Sequence, residues 1–378
     1  MKILLTGGAG FIGSVVHNLL EATGHDAVVL DRALDPRDDV TDLDRVRSLV
    51  SGCELVIHLA AKVGLGVEFC DIDDYVRQND LGTAVVLRAA AEAGVSRVVY
   101  ASSMVVYGEG TYSCAEHGPV APPPRAAADL ANGRFEPICP ACRRALIPGL
   151  VPESARLDPR NVYAVTKVHG EQLAAIWSRE TGGNVAALRF HNVYGPGMPR
   201  HTPYAGVASL FRAALEQGRP AEVFEDGRQR RNFIHVTDVA RAVVSAVTAE
   251  LPVGFTPLNI GSPTITTVGE MALGLSGALN GPDPVINGRY RLGDVRHITA
   301  DCSMAEQILG WRAEVELDAG IQSLLAVSDA PSPPPVPLRA DRDDLSRRRQ
   351  SGKASVIRPR SPNESLAVLG RAQDHSKD

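Results

Sequence analysis

The run Thr6-Gly7-Gly8-Ala9-Gly10-Phe11-Ile12-Gly13 constrains this chain more than any other stretch. It follows the apolar segment Ile3-Leu4-Leu5 and opens a helical pattern from Phe11 to Leu20, so Gly7, Gly10 and Gly13 fall on a strand-to-helix turn. Glycines at this spacing permit a tight turn and bring backbone N–H groups of the turn and of Phe11 and Ile12 toward a phosphate. The next apolar run, Ala27-Val28-Val29-Leu30, ends in Asp31, where a carboxylate accepts hydrogen bonds from adenosine ribose hydroxyls and repels a 2′-phosphate. NAD, in preference to NADP, is the expected cofactor. Arg32 comes one residue later and is expected to point elsewhere.

The alternation continues through Leu55-Val56-Ile57, a helical stretch from Gly82 to Ala93, and Arg97-Val98-Val99-Tyr100. Strands alternating with helices predict an α/β fold, a Rossmann-type doubly wound parallel sheet. Residues 1–190 are expected to form this cofactor domain, with an inserted Cys/His module at about 110–157 where prolines are frequent and periodicity is weak. Residues 191–327 are expected to be a smaller C-terminal substrate-binding α/β region, some of whose segments return to the first domain. The tail 331–378 contains Pro333-Pro334-Pro335 and Arg347-Arg348-Arg349, lacks aromatic residues, and is expected to be disordered.

Charge excludes several partners. With 39 Lys and Arg against 44 Asp and Glu in 378 residues, no overall basic field draws the molecule to nucleic acid or anionic lipid. No apolar run is long enough for a membrane span. Six cysteines are too few for a disulfide scaffold, and the N-terminus enters a strand without a signal peptide, so a cytoplasmic location is expected.

Asp39-Val40, His58-Leu59-Ala60-Ala61 and Asn79-Asp80-Leu81-Gly82-Thr83, taken with the glycine run, resemble the NAD-dependent epimerase/dehydratase group of extended short-chain dehydrogenases/reductases. The resemblance implies that Asp39 and Val40 meet the adenine, that Ala60 and Ala61 line the dinucleotide, that Lys62 reaches the nicotinamide ribose and phosphates, and that Asn79 joins the cofactor site. It also implies a homodimer. Tyr163 and Lys167 lie four apart, hence on one helix face. With Ser103 they resemble the family's catalytic Ser-Tyr-Lys set, while Ser102 is read as a structural neighbour. An ordinary tyrosine titrates near 10; the Lys167 ammonium and a positive nicotinamide would favour the phenolate needed for a base.

Met104 and Val105 follow Ser103, where sugar 4,6-dehydratases carry an Asp-Glu pair and decarboxylases usually a glutamate. One base and NAD suffice for 4-epimerisation of a nucleotide sugar. By the same resemblance Asn192 contacts the sugar diphosphate, Arg231 and Arg291 clamp its phosphates, and Asp294 lies nearby. Arg228 and Arg230 are read as solvated, and Asn259 as a turn former. Cys114-x-x-His117 and Cys139-x-x-Cys142 have the spacing of a closed, structural zinc site. Redox-active or incidental thiols are the other readings. An insert of this kind resembles the dTDP-L-rhamnose 4-epimerases. UDP-glucose or UDP-glucuronate 4-epimerisation, or a silent dinucleotide-binding scaffold, are the competing expectations.

Overall fold

A computed structural model of the chain describes residues 1–64, 71–199 and 206–326. The expected disordered tail lies outside the described residues. The chain begins β1 (Lys2–Thr6), α1 (Phe11–Ala22), β2 (Asp26–Leu30), α2 (Leu43–Val50), β3 (Leu55–His58) and α3 (Ile72–Tyr75). A π-helical turn over Val76–Leu81 leads into α4 (Gly82–Glu92), followed by β4 (Arg97–Ser103) and a 3₁₀ turn at Met104–Tyr107. The insert contributes β5 (Tyr112–Cys114), β6 (Gly118–Val120), α5 (Ala127–Ala131) and β7 (Ile147–Pro148). Then come α6 (Val162–Thr181), β8 (Asn184–Phe190), β9 (Asn192–Tyr194), α7 (Val207–Glu216), β10 (Glu222–Val223), β11 (Arg230–Arg231) and β12 (Phe233–His235). The described chain closes with α8 (Val236–Thr248), β13 (Phe255–Ile260), β14 (Thr266–Thr267), α9 (Val268–Ala278), β15 (Val285–Ile286), α10 (Ser303–Leu309) and α11 (Leu317–Ala326).

Six parallel strands form the main sheet in the order β13-β8-β4-β3-β1-β2. Both faces are covered, which is why its strands are apolar at successive positions. Along β1 the pleat sends Ile3 and Leu5 into a core with α1, α8 and α10, and Leu4 into the opposite core with α2, α4 and α6. The order reverses between β1 and β3, and ligands bind outside the carboxyl ends of strands at such a crevice. A buried cross-link holds the two ends together: His58 Nδ1 lies 2.7 Å from Thr6 Oγ1, and its Nε2 lies 3.1 Å from Thr83 Oγ1. Burial pushes His58 down to about 3, so the ring is neutral.

Helix α6 starts where the Asn161 side chain accepts from the Ala164 N–H, and it ends at Gly182, whose φ of 73° suits glycine. Smaller sheets pair β9 with β12, β11 with β14 and β10 with β15. Phe211, Leu215, Met271, Leu275 and Ile321 from α7, α9 and α11 share an apolar core beside them. Asn259 is a correction to the turn expectation. It lies inside β13, fully buried, where its amide donates to the Val151 and Asp301 carbonyls and its oxygen accepts from Tyr107. These partners, remote in sequence, satisfy an asparagine that local sequence would assign to a turn.

Candidate active site

The glycine turn is built by close approach. Gly7 has φ 73°, and a Cβ there would stand 2.8 Å from the Ala60 amide nitrogen, so the ends of β1 and β3 touch across the crevice. A Cβ on Gly13 would stand 1.9 Å from the Gly7 carbonyl oxygen, which leaves glycine as the residue that fits. Gly10 precedes α1 without a side-chain cap, so the first N–H groups of Phe11, Ile12 and Gly13 are aligned for an external acceptor. Asp31 accepts from the Ala9 and Ala33 N–H groups, both at 2.9 Å, fixing its carboxylate beside the turn. These features fit a dinucleotide pyrophosphate and ribose.

The other cofactor candidates gather around this turn in different ways. Arg32 turns to Asp39 at 3.6 Å, and Asp39 also accepts from Thr41. Val40 is buried against Gly82 of α4, packing into the core. Asn79 receives the Lys62 N–H at 2.7 Å and donates to the Lys62 carbonyl and Thr166 hydroxyl. Its amide thereby ties the Ala60-Ala61-Lys62 segment to α6. The Lys62 ammonium pairs with Asp74 at 2.5 Å and lies over the Tyr75 ring.

Ser103 ends β4, and Tyr163 and Lys167 occupy the first turns of α6. The Ser103 hydroxyl lies near enough to the Tyr163 phenol to favour its ionised form. Lys167 donates to the Ala101 carbonyl at 2.7 Å, with its nitrogen 5.9 Å from the Tyr163 ring centre and 5.2 Å from that of Tyr100. In the protein alone burial dominates: it pushes the Tyr163 phenol up, against the opposing influence of Ser103, and pulls Lys167 down to about 8, against Glu171. A second positive charge beside the phenol is what this set requires to work as a base.

Sequence reasoning missed the shell behind these residues. Glu171, one turn beyond Lys167 on the same face, accepts from Ser102 at 2.5 Å and from Arg189 through both carboxylate oxygens at 2.8 and 2.7 Å. Arg189 also donates to the Tyr107 hydroxyl and Glu153 carbonyl. Ser102 therefore faces inward while Ser103 faces Tyr163. The 163-167-171 spacing was visible, but the partners come from β4 and β8.

On the substrate side, Asn192 is adjacent to β12 through its N–H bond to Asn232, and its buried Oδ1 has no partner. Arg231 donates to the Arg230, Val295 and Arg296 carbonyls, so part of its fork is already engaged by the chain. Burial raises Asp294, and the positive charges of Arg291 and Arg231 oppose that shift. Arg291 is exposed and lies 5.1 Å from the Phe224 ring centre. Arg228 and Arg230 are exposed, as read.

The insert folds β6-β5-β7 into a small sheet. It brings ligand atoms of Cys114, His117, Cys139 and Cys142 within 4.8 Å of one another. The Cys114 sulfur is 3.5 Å from both His117 Nδ1 and the Cys142 sulfur, and the Cys139 sulfur is 3.6 Å from the same ring nitrogen. A tetrahedral zinc with Zn–S bonds of about 2.3 Å separates sulfurs by about 3.8 Å, so the cluster fits such an ion. The module is joined to the Glu225-Asp226 segment through Arg296, fully buried, which pairs with Glu136 at 2.6 Å, Glu225 at 2.9 Å and Asp226 at 2.7 Å. Arg125 adds a 2.8 Å pair to Glu225 and a bond to the Asp294 carbonyl.

Residues 3–131 and 147–261 match the model of the NAD dependent epimerase/dehydratase family. The interval between these segments contains Cys139 and Cys142. The dTDP-L-rhamnose 4-epimerase of Burkholderia thailandensis is 32% identical over 351 residues, spanning 85% of this chain and 93% of that protein. The structure of MoeE5 in complex with UDP-glucuronic acid and NAD is 31% identical with a TM-score of 0.69, covering 86% of this chain and 98% of that one. The UDP-glucose 4-epimerase of Thermotoga maritima, solved with UDP-glucose, is 26% identical with a TM-score of 0.70 over the same shares. With its glycine turn and its Ser-Tyr-Lys set at the carboxyl edge of the sheet, the chain is an enzyme of the NAD-dependent epimerase/dehydratase family.

Proposed function

We propose that the protein is a nucleoside-diphosphate-sugar 4-epimerase that converts dTDP-L-rhamnose to dTDP-6-deoxy-L-talose. The observation that carries the reaction type is the Ser103-Tyr163-Lys167 set followed by Met104 and Val105, which supply no second acid or base. The Cys/His module and the Burkholderia relative support the choice of sugar. Tyr163 takes the proton of the sugar 4-hydroxyl, Ser103 hydrogen-bonds the same oxygen, and the Lys167 ammonium favours the phenolate. NAD held by the Gly7-Gly10-Gly13 turn and Asp31 would supply reversible hydride acceptance at C4. Turning the 4-keto sugar over in the site would present its other face for the returning hydride, and Tyr163 would give the proton back, leaving no net redox change.

Arg231, Arg291 and Asn192 hold the diphosphate end in this reading, and zinc on Cys114, His117, Cys139 and Cys142 stabilises the module. The ion is structural because four protein ligands complete its tetrahedron. Residues 1–190 serve mainly as cofactor domain and 191–327 mainly as substrate region. Exposed Val76, Leu81, Val165 and Ile176 on the π turn and α6 support a homodimer. UDP-glucose or UDP-glucuronate 4-epimerisation is the second reading, favoured by the ligand in the MoeE5 complex.

Incubation with dTDP-L-rhamnose, UDP-glucose and UDP-glucuronate, followed by NMR of the products, tests these readings. The 6-deoxy-L-talose epimer is expected; exclusive turnover of a UDP sugar selects the second reading, and no turnover of any overturns both. Tyr163→Phe is expected to lower kcat by roughly 10²–10⁴-fold while NAD binding is retained.

A further inference from the structure

Four histidines among the described residues are buried: His58, His191, His235 and His297. Three have both ring nitrogens bonded by the protein. His58 bridges Thr6 and Thr83, His235 bridges Thr237 and Ser323, and His297 bridges the Arg230 N–H and Glu136. His191 is 3% exposed, yet neither its Nδ1 nor its Nε2 has a partner. Buried polar atoms left unbonded are costly and rare in folded proteins, so an orphaned pair calls for an external partner.

The location of His191 identifies which partner. Phe190, the last residue of β8, is in register with Ser103 of β4, so His191 leaves the sheet one residue past the reacting serine. Its backbone is anchored by the N–H bond to the Ile260 carbonyl. Arg231 lies close enough to disfavour a positive ring, and burial, the larger effect, pushes His191 down to about 3. Next in sequence, Asn192 Oδ1 is also buried and unpartnered. His191 thus follows the strand end in register with Ser103 and precedes Asn192, with Arg231 near enough to act on its ring.

A neutral imidazole offers one N–H donor and one lone pair. A phosphate offers acceptors alone and matches half of that pair. The two nitrogens point apart, so one partner meets one of them, and a hydroxyl can either accept from the N–H or donate to the lone pair, whichever nitrogen faces it. We infer that His191 is a specificity-determining contact that hydrogen-bonds a ring hydroxyl of the hexose in the bound nucleotide sugar. This rests on the nucleotide-sugar reading above and adds a recognition residue to it.

The test compares nucleotide sugars with the matching free nucleoside diphosphates, using the NAD-loaded enzyme and calorimetry. dTDP-L-rhamnose and UDP-glucose are paired with dTDP and UDP. His191→Phe is expected to weaken nucleotide-sugar binding and kcat/KM by about 10–100-fold while nucleoside diphosphate affinity stays within about 3-fold. His191→Gln, which keeps a donor and an acceptor, is expected to stay within about 5-fold of wild type. Equal weakening toward the free diphosphates, or unchanged sugar binding in His191→Phe, overturns the assignment. Nitrogen NMR of histidine-labelled wild-type enzyme needs no variant. The His191 ring signals should shift with the nucleotide sugar and not with the nucleoside diphosphate; a silent ring, or equal shifts with both, refutes the contact. Nucleotide-sugar binding with the His191 response but without turnover would reject the epimerase reading alone.

Discussion

Gly13 and Glu171 show the two ways a residue is fixed in this protein. Gly13 is required by contact, since any side chain would enter the space of the Gly7 carbonyl oxygen at 1.9 Å. Gly13→Ala must displace that turn or the start of α1, and is expected to raise the NAD dissociation constant at least about 10-fold; a fluorescence titration that finds wild-type affinity contradicts this. The turn was legible because spacing alone places its three glycines on one strand-to-helix junction. Glu171 was not, because its value depends on Ser102 and Arg189, which are distant in sequence and meet it only when β4, β8 and α6 pack. His191 was hidden for the converse reason: what marks it is the lack of protein partners at a buried position, and burial is a tertiary quantity.

The insert is the element whose chemistry and connections were learned at different stages. Its ligand spacing predicted four converging side chains, and β5, β6 and β7 bring them within 4.8 Å. Metal analysis is expected to find one zinc per chain, and Cys139→Ser to lose it and lower the melting temperature; metal-free, fully folded wild-type protein would remove zinc from the account. What spacing could not reveal is the ion-pair seam from Glu136 through Arg296 to Glu225 and Asp226. Removing zinc should therefore be felt beyond the module, as a raised KM for the nucleotide sugar with NAD affinity preserved. The seam was hidden because Arg296 and Glu136 are 160 residues apart and each resembles an ordinary surface charge in sequence.

Across the whole molecule, buried histidines set the response to acid. An unfolded histidine titrates near 6.5, whereas burial holds His58 and His191 near 3. Between those values the unfolded chain binds a proton at each that the folded chain does not. Stability is therefore fullest above about pH 6.5 and falls below it by about 1.4 kcal/mol per pH unit for each ring. Glu136 acts in the same direction lower down: burial raises it, but bonds from His297 and Arg296 prevail and hold it near 2. Urea unfolding between pH 7 and 5 should show a shallower loss for His191→Gln than for wild type; parallel slopes would contradict the His191 contribution. The layered α/β order, the glycine turn, the Tyr163-Lys167 face and the Cys/His cluster could be read from spacing, because strand and helix periods and short spacings are local properties. Packing was needed to see that Asn79 braces the Ala60-Lys62 segment, that Glu171 and Arg189 support the strand carrying Ser102 and Ser103, and that His191 is buried without a partner. Those facts depend on which distant side chains meet away from water.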